Sequence, residues 1–280
     1  MPKFNDALEI TRSPSPPVAL TIAGSDSSCG AGVQADIKTF AAHGVYGVNA
    51  VTALVAEAPG AVTQIKATDS TLLGAQLNRV GASFPIKVAK TGMLATRGNV
   101  EAVVEFCRQA AGIPLIIDPV VQASAGVELL SLDGLKSLCS NLLPLSTLVT
   151  PNLPEAAILL GCAIDSPEAA KEAPRRIFES YGCNALVKGG HASGNSEIVD
   201  YAWIDNEVIE FVHPRLDVPD VHGTGCTLSA AIAARIALGE ALPEAISMAT
   251  SYLAACLEQH FQWPESGGSE SLNHFPNIVD

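Results

Sequence analysis

The chain has 280 residues, 48% of them apolar and 16% charged, so it can bury a large core and does not have the composition of an intrinsically disordered polypeptide. Sixteen Lys and Arg stand against 29 Asp and Glu, a formal charge of −13. Such a field disfavours nucleic acid or an anionic membrane surface as a partner unless a local basic patch overrides it, and the sequence contains no such patch. The seven cysteines are widely spaced with no C-x-x-C pair, so they are read as reduced thiols. Residues 1–17 lack the apolar stretch of a signal peptide, and no apolar run approaches the roughly 18 residues that span a bilayer. A cytoplasmic protein is expected.

In chain order, the residues predict a strand over 18–22, a helix over 31–43 and a β-rich apolar stretch over 45–55. A helix follows over 70–82, where Leu73, Leu77 and Val80 fall at i, i+4 and i+7. A strand over 86–89 precedes a helix over 96–110, with Val100, Val103, Val104 and Cys107 on one face. Then come a strand over 114–118, a helix over 132–142, a strand over 147–150, helices over 154–160 and 168–181, and a strand over 185–188. Apolar strands alternating with amphipathic helices indicate a mostly parallel sheet covered on both faces. Residues 198–204 and 208–212 alternate polar and apolar around Asp205-Asn206, which predicts an antiparallel hairpin at a sheet edge. Helices over 225–238 and 243–259 close the regular part. The expected organisation is one domain over 18–263, an N-terminal tail over 1–17 and a loose surface tail over 264–280.

In an open α/β sheet, ligands sit beyond the carboxyl ends of the strands, which directs attention to the loops there. Residues 24–32, from Gly24 to Gly32, join the first strand to its helix with three glycines and several hydroxyls; they form either a ligand-cradling loop or a tight turn capped by Asp26 or Ser27. Asp118, at the end of an apolar strand, is either a turn cap or an acid of a metal or phosphate site. Asn152 and Glu155 have the spacing of a capping box, and the same spacing suits a hydrated Mg²⁺. Lys188, followed by Gly189-Gly190-His191, places a cation at the same edge, whereas Lys90 can be merely a solvated strand tip. The most informative loop is His222-Gly223-Thr224-Gly225-Cys226-Thr227, directly before a small-residue helix. Its amides and the helix dipole make an anion hole, and a first-turn position would lower the Cys226 thiol pKa; the alternative is a buried structural cysteine. The remaining histidines, His43, His213, His260 and His274, have no ligand spacing and are expected at the surface.

The ordered set of segments LTIAGSDSSCGAGVQADIKTF, VTALVAE, KTGML, DPVV, TPNLPEAAILLG, LVKGGH and HGTGCTLSAAIA resembles the hydroxymethylpyrimidine/phosphomethylpyrimidine kinases of thiamin biosynthesis, within the ribokinase-like superfamily. The resemblance implies a three-layer αβα sandwich with a small β-flap, usually dimeric. It also implies transfer of the ATP γ-phosphoryl group to an aminopyrimidine hydroxymethyl, and then to the resulting phosphate. Carried over residue by residue, it makes Gly223, Thr224, Gly225 and Cys226 catalytic, with Cys226 as base. Gly24, Asp36, Glu57, Met93 and Val120 become the pyrimidine pocket; Asn152, Lys188, Gly190 and Thr224 the ATP side; and Asp118 and Glu155 the Mg²⁺ acids. Three features depart from the family pattern. Glu57 replaces a usual Gln, Ala123-Ser124-Ala125-Gly126 lacks a usual lysine, and Pro219-Asp220-Val221 replaces the usual Thr/Asn residues. An ionised Glu57 accepts only, which suits a pair with the exocyclic amine and a protonated ring nitrogen. A pyridoxal kinase of the same superfamily and a non-catalytic pyrimidine-binding protein are the other two readings of this pattern.

Overall fold

Strand β1 (Val18–Asp26) is buried almost throughout because both its faces are covered, and the rest of the sheet is laid out around it. In this computed structural model the described residues are 14–58, 61–122, 128–189, 196–218, 221–266 and 269–277. After β1 come α1 (Gly32–Ala42), β2 (Tyr46–Ala58), β3 (Ala61–Ala67), α2 (Ser70–Ser83), β4 (Ile86–Thr91), α3 (Arg97–Gln109), β5 (Leu115–Ile117) and α4 (Leu132–Ser137). They are followed by β6 (Leu148–Val149), α5 (Leu153–Leu160), α6 (Pro167–Tyr181), β7 (Asn184–Val187), β8 (Glu197–Ile204), β9 (Glu207–Pro214), α7 (Thr224–Ala237) and α8 (Leu242–Glu258). The main sheet has nine strands in the order β3-β2-β1-β4-β5-β6-β7-β8-β9. Strands β2, β1, β4, β5, β6 and β7 run parallel, with antiparallel β3 at one edge and the β8–β9 hairpin at the other.

Strand periodicity sorts side chains into two cores. Leu115 and Ile117 face the layer of α2, α3, α5 and α6, while Ile116 between them faces the layer of α1, α7 and α8. On the second face α7 is buried around most of its circumference, and Ala230, Ala231, Ala233 and Ala234 are fully buried. Small side chains let this helix lie close to the sheet while α1 and α8 pack against it. That placement carries the first turn of α7 to the carboxyl edge of the central strands.

Four local expectations are corrected. Strand β3 was not foreseen, because its residues are mostly exposed and supply little apolar signal. With β2 it forms the flap, held by a small cluster of Ala53, Val55 and Met93 with Val62 and Ile65. The helix expected over 132–142 is α-helical only to Ser137 and continues as a π-turn over Leu138–Leu142. Residues 264–266 and 269–277 are not a loose tail. A strand β11 (Ser269–Ser271) pairs with β10 (Phe261–Trp263), and beyond it Leu272 and His274 are buried. The Tyr252 hydroxyl donates to the His274 carbonyl at 2.7 Å, and Thr227 Oγ1 lies 3.2 Å from His274 Nε2. His274 is therefore not the surface residue expected; it ties this segment to α7 and α8.

Burial, reinforced by the Lys38 ammonium, holds the His274 imidazole down at about 4. The folded protein keeps the ring neutral while the unfolded chain takes up a proton, so stability is lost as pH falls from about 6.5 towards 4. Urea unfolding is expected to lose up to about 3 kcal/mol from this source in the parent and to show a shallower acid slope in His274→Gln. Superimposable slopes would rule out the buried neutral imidazole.

Candidate active site

Two loops meet backbone to backbone at the end of β1. The Asp26 carboxylate gathers the first, accepting from Ser28 N–H at 2.7 Å, Ser28 Oγ at 2.8 Å, Gly30 N–H at 3.0 Å and Ala31 N–H at 2.9 Å. Of the two roles open for this loop, it is at least a capped turn. Gly32 sits at φ +61°, where a Cβ would lie 2.2 Å from the Gly24 carbonyl oxygen. Gly223 sits at φ +90°, where a Cβ would lie 1.9 Å from the Gly30 carbonyl oxygen, so no side chain fits between the loops. Beyond Gly223, α7 begins without a side-chain cap, leaving its first amides available to an anion.

The far side of the same turn faces charge. A Cβ on Gly225 would stand 3.3 Å from Lys188 Nζ and 3.6 Å from Asp118 Oδ2. Lys188 Nζ lies 3.4 Å from Asp118 Oδ1, and Ser229 Oγ donates to Asp118 Oδ2 at 3.4 Å. Asn152 and Glu155 form a true capping box, with Glu155 N–H donating to Asn152 Oδ1 at 2.8 Å and Asn152 N–H to Glu155 Oε2 at 2.9 Å. Burial, with the Asp118 charge adding to it and Lys188 opposing, pushes the Glu155 carboxyl up to about 7. Two oxygen-donor acids thus share one lysine beside the open first turn of α7.

Cys226 is in that turn and half-buried, but its expected lowered pKa is overturned. Burial pushes the thiol up to about 12; the Asp118 and Asp36 charges add to it, and the Lys90 ammonium and the Gly32 N–H do not offset them. Asp36 is also corrected. It is fully buried rather than open to a pocket, clasping the equally buried Lys90 Nζ at 2.8 and 2.9 Å and accepting from Thr21 Oγ1. Lys90 is accordingly no solvated tip, and the Asp36 charge outweighs burial to hold its pKa above the ordinary value.

Gly24, Met93 and Val120 do come together: a Cβ on Gly24 would meet Met93 Sδ at 3.2 Å, and Val120 packs on the cluster containing Met93. Glu57 is the penultimate residue of β2, and its backbone is pinned by Ser27 Oγ, which accepts from Glu57 N–H at 2.9 Å and donates to the Glu57 carbonyl oxygen at 2.7 Å. Its carboxylate lies 3.3 Å from His222 Nε2, and burial raises its pKa, with the His222 charge opposing. Gly190, the 123–126 segment and Pro219-Asp220 lie outside the described residues. The sequence reading missed the partnership of Asp26, Glu57 and His222, which no local spacing reveals, because the three come from β1, β2 and the loop before α7.

The profile of the phosphomethylpyrimidine kinase family matches residues 26–269. A hydroxymethylpyrimidine/phosphomethylpyrimidine kinase of Rhizobium meliloti (strain 1021) is 39% identical over 259 residues, 92% of this chain and 97% of its own. The thiamine biosynthesis bifunctional protein ThiED of Geobacter sulfurreducens is 38% identical over 91% of this chain and 51% of its own. Among solved structures, an ADP complex of Bacillus subtilis pyridoxal kinase superposes with a TM-score of 0.84 at 32% identity, covering 93% of this chain and 98% of the other. Fold, ordered loops and sequence identity along nearly the whole chain agree, and the chain belongs to the phosphomethylpyrimidine kinase family of phosphotransferases.

Proposed function

We propose that the protein phosphorylates 4-amino-5-hydroxymethyl-2-methylpyrimidine with ATP, and then phosphorylates the monophosphate to the diphosphate, for thiamin biosynthesis. The observation that carries this reading is the uncapped first turn of α7, flanked by Lys188 and Asp118 on one side and by the 24–32 loop and Glu57 on the other. Phosphoryl transfer needs positioning and charge stabilisation more than covalent chemistry, and amides aimed at one point supply both. The amides of residues 223–226 hold the transferring group, Lys188 neutralises the phosphate chain, and Asn152 and Thr224 border it. Gly24, Glu57, Met93 and Val120 hold the pyrimidine. Asp36 acts on the site from below, through Lys90.

Asp118 and Glu155 are hard oxygen donors that share Lys188, and the Glu155 carboxyl, raised first by burial and then by the Asp118 charge, would ionise more readily beside a cation, which suits a hydrated magnesium ion. Bound there, the ion would offset charge on the transferring phosphates. Family membership also supports a homodimer working in the cytoplasm. The likeness to a pyridoxal kinase structure favours pyridoxal as a second substrate class. Coupled ADP-release assays with the aminopyrimidine, its monophosphate and pyridoxal are expected to give the highest kcat/KM with the two pyrimidines. Turnover of pyridoxal alone would reverse the assignment.

Cys226 as base for the alcohol step has a definite signature. A thiol at about 12 is almost wholly protonated at neutral pH, so the alcohol step should rise between roughly pH 7 and 9 while the monophosphate step stays flat. Cys226→Ala is expected to slow the alcohol step by about 10²-fold or more and the second step far less. Equal losses in both steps would remove the base role. Gly223→Ala, whose methyl would meet the Gly30 carbonyl, is expected to abolish both steps and to lower Tm. A fully active variant would show that the two loops can separate.

A further inference from the structure

Asp26, Glu57 and His222 offer ligand atoms that all lie within 4.8 Å of one another, at the junction of the pyrimidine pocket and the phosphoryl loop. A metal is a poor fit, because both Asp26 oxygens already accept from the 28–31 backbone and the Ser28 hydroxyl. The arrangement instead places one imidazole nitrogen between two carboxylates. His222 Nε2 lies 3.5 Å from Asp26 Oδ2 and 3.3 Å from Glu57 Oε1. Asp26 is held by donors from Ser28, Gly30 and Ala31; burial works against its ionisation, but the neighbouring His222 and the Ser28 and Ala31 donors outweigh burial and bring it down to about 2. Glu57 has a pinned backbone, and its carboxylate lies beside His222. The imidazole edge rests on Gly30, where a Cβ would meet His222 Cδ2 at 3.2 Å, and the next residue along the chain is Gly223, pressed against the Gly30 carbonyl.

We propose that His222 is a positioning residue that couples Glu57 in the pyrimidine pocket to the phosphoryl-binding turn at residues 223–226. The coupling rests on the pyrimidine-kinase reading for its meaning, but its geometry is independent of the substrate. When Glu57 turns to an amine-bearing heteroaromatic ring, His222 loses that carboxylate and keeps Asp26. Residue 223 cannot follow freely, because the Gly30 carbonyl blocks it, so the shift is passed along the turn. The family pattern of an uncharged Gln at position 57 would weaken this link; Glu57 puts a carboxylate beside the imidazole. Among the described residues, Lys38 from α1 and Glu270 and His274 from the C-terminal segment line the same cavity of about 390 Å³ as the imidazole.

The test needs no turnover. In the full-length protein, Glu57→Gln is expected to lower the His222 titration midpoint, followed by NMR, by about half a unit or more. The same substitution should shift the backbone amide resonances of Gly223 and Gly225 in the parent, and leave them in place when it is made in a His222→Gln background. His222→Asn serves as the second background should His222→Gln fold poorly. Equal displacement of the two glycine amides with and without the imidazole, or a His222 midpoint indifferent to residue 57, would overturn the coupling. In kinetics with the aminopyrimidine, His222→Gln is expected to lower kcat as well as raise KM, and Glu57→Gln combined with it to cost about threefold less than the product of the single losses. Strictly multiplicative losses would also overturn it. Absence of pyrimidine turnover in the parent, with the NMR coupling intact, would count against the substrate assignment and not against the coupling.

Discussion

The carbonyl oxygen of Gly30 occupies the space that a side chain on residue 223 would need, and the rest of the site is arranged around that contact. It fixes how closely the loop after β1 and the turn before α7 approach. The approach can be this close because Asp26 has already drawn the first loop into a compact turn by filling both carboxylate oxygens with backbone and hydroxyl donors. The second loop gains its position from a different source, the alanine-rich face of α7, which lets the helix lie low on the sheet. Local hydrogen bonding and helix packing therefore converge on one backbone contact.

Charge is distributed around this contact in alternation. Lys90 and Asp36 neutralise one another beneath Cys226, Lys188 stands between Asp118 and Glu155, and His222 stands between Asp26 and Glu57. The formal charge of −13 consequently says little about the site, where each cation is committed to carboxylates nearby. The alternation also explains why the thiol is not activated as a helix N-terminus alone would suggest. Two of the acids that order the lysines oppose the thiolate, and burial removes the water that would stabilise it.

Much of the architecture was legible because its signals are local. Leu73 and Leu77 mark a helix by spacing alone, the apolar run over 114–118 marks a strand buried on both faces, and Asp205-Asn206 marks the hairpin. Both turn residues have positive φ, at 52° and 65°, the geometry that lets a two-residue loop follow the twist of β8 and β9. Strand β3 was illegible because its stabilising partners are on β2 and around Met93 rather than within its own residues. The segment after Trp263 misled for the opposite reason: its polar composition signals a surface, yet Leu272 and His274 are covered by α7 and α8. The motifs marked loops that the fold brings together at the carboxyl ends of the strands, while the ionisation of Cys226 and the burial of Asp36 depend on neighbours far along the chain.

That distance has a consequence for how the protein comes to be a catalyst. Asp36 and Lys90 are 54 residues apart in sequence, Asp118 and Lys188 70, and Asp118 and Ser229 111. Contacts of such separation form late, because the entropy of closing long loops precedes any return from them. The turn at residues 223–226 acquires its walls only when a sheet begun at β1 and completed through β7 is already in place. Nascent or partly unfolded chains therefore lack the walled turn altogether, and it is assembled only with the finished fold.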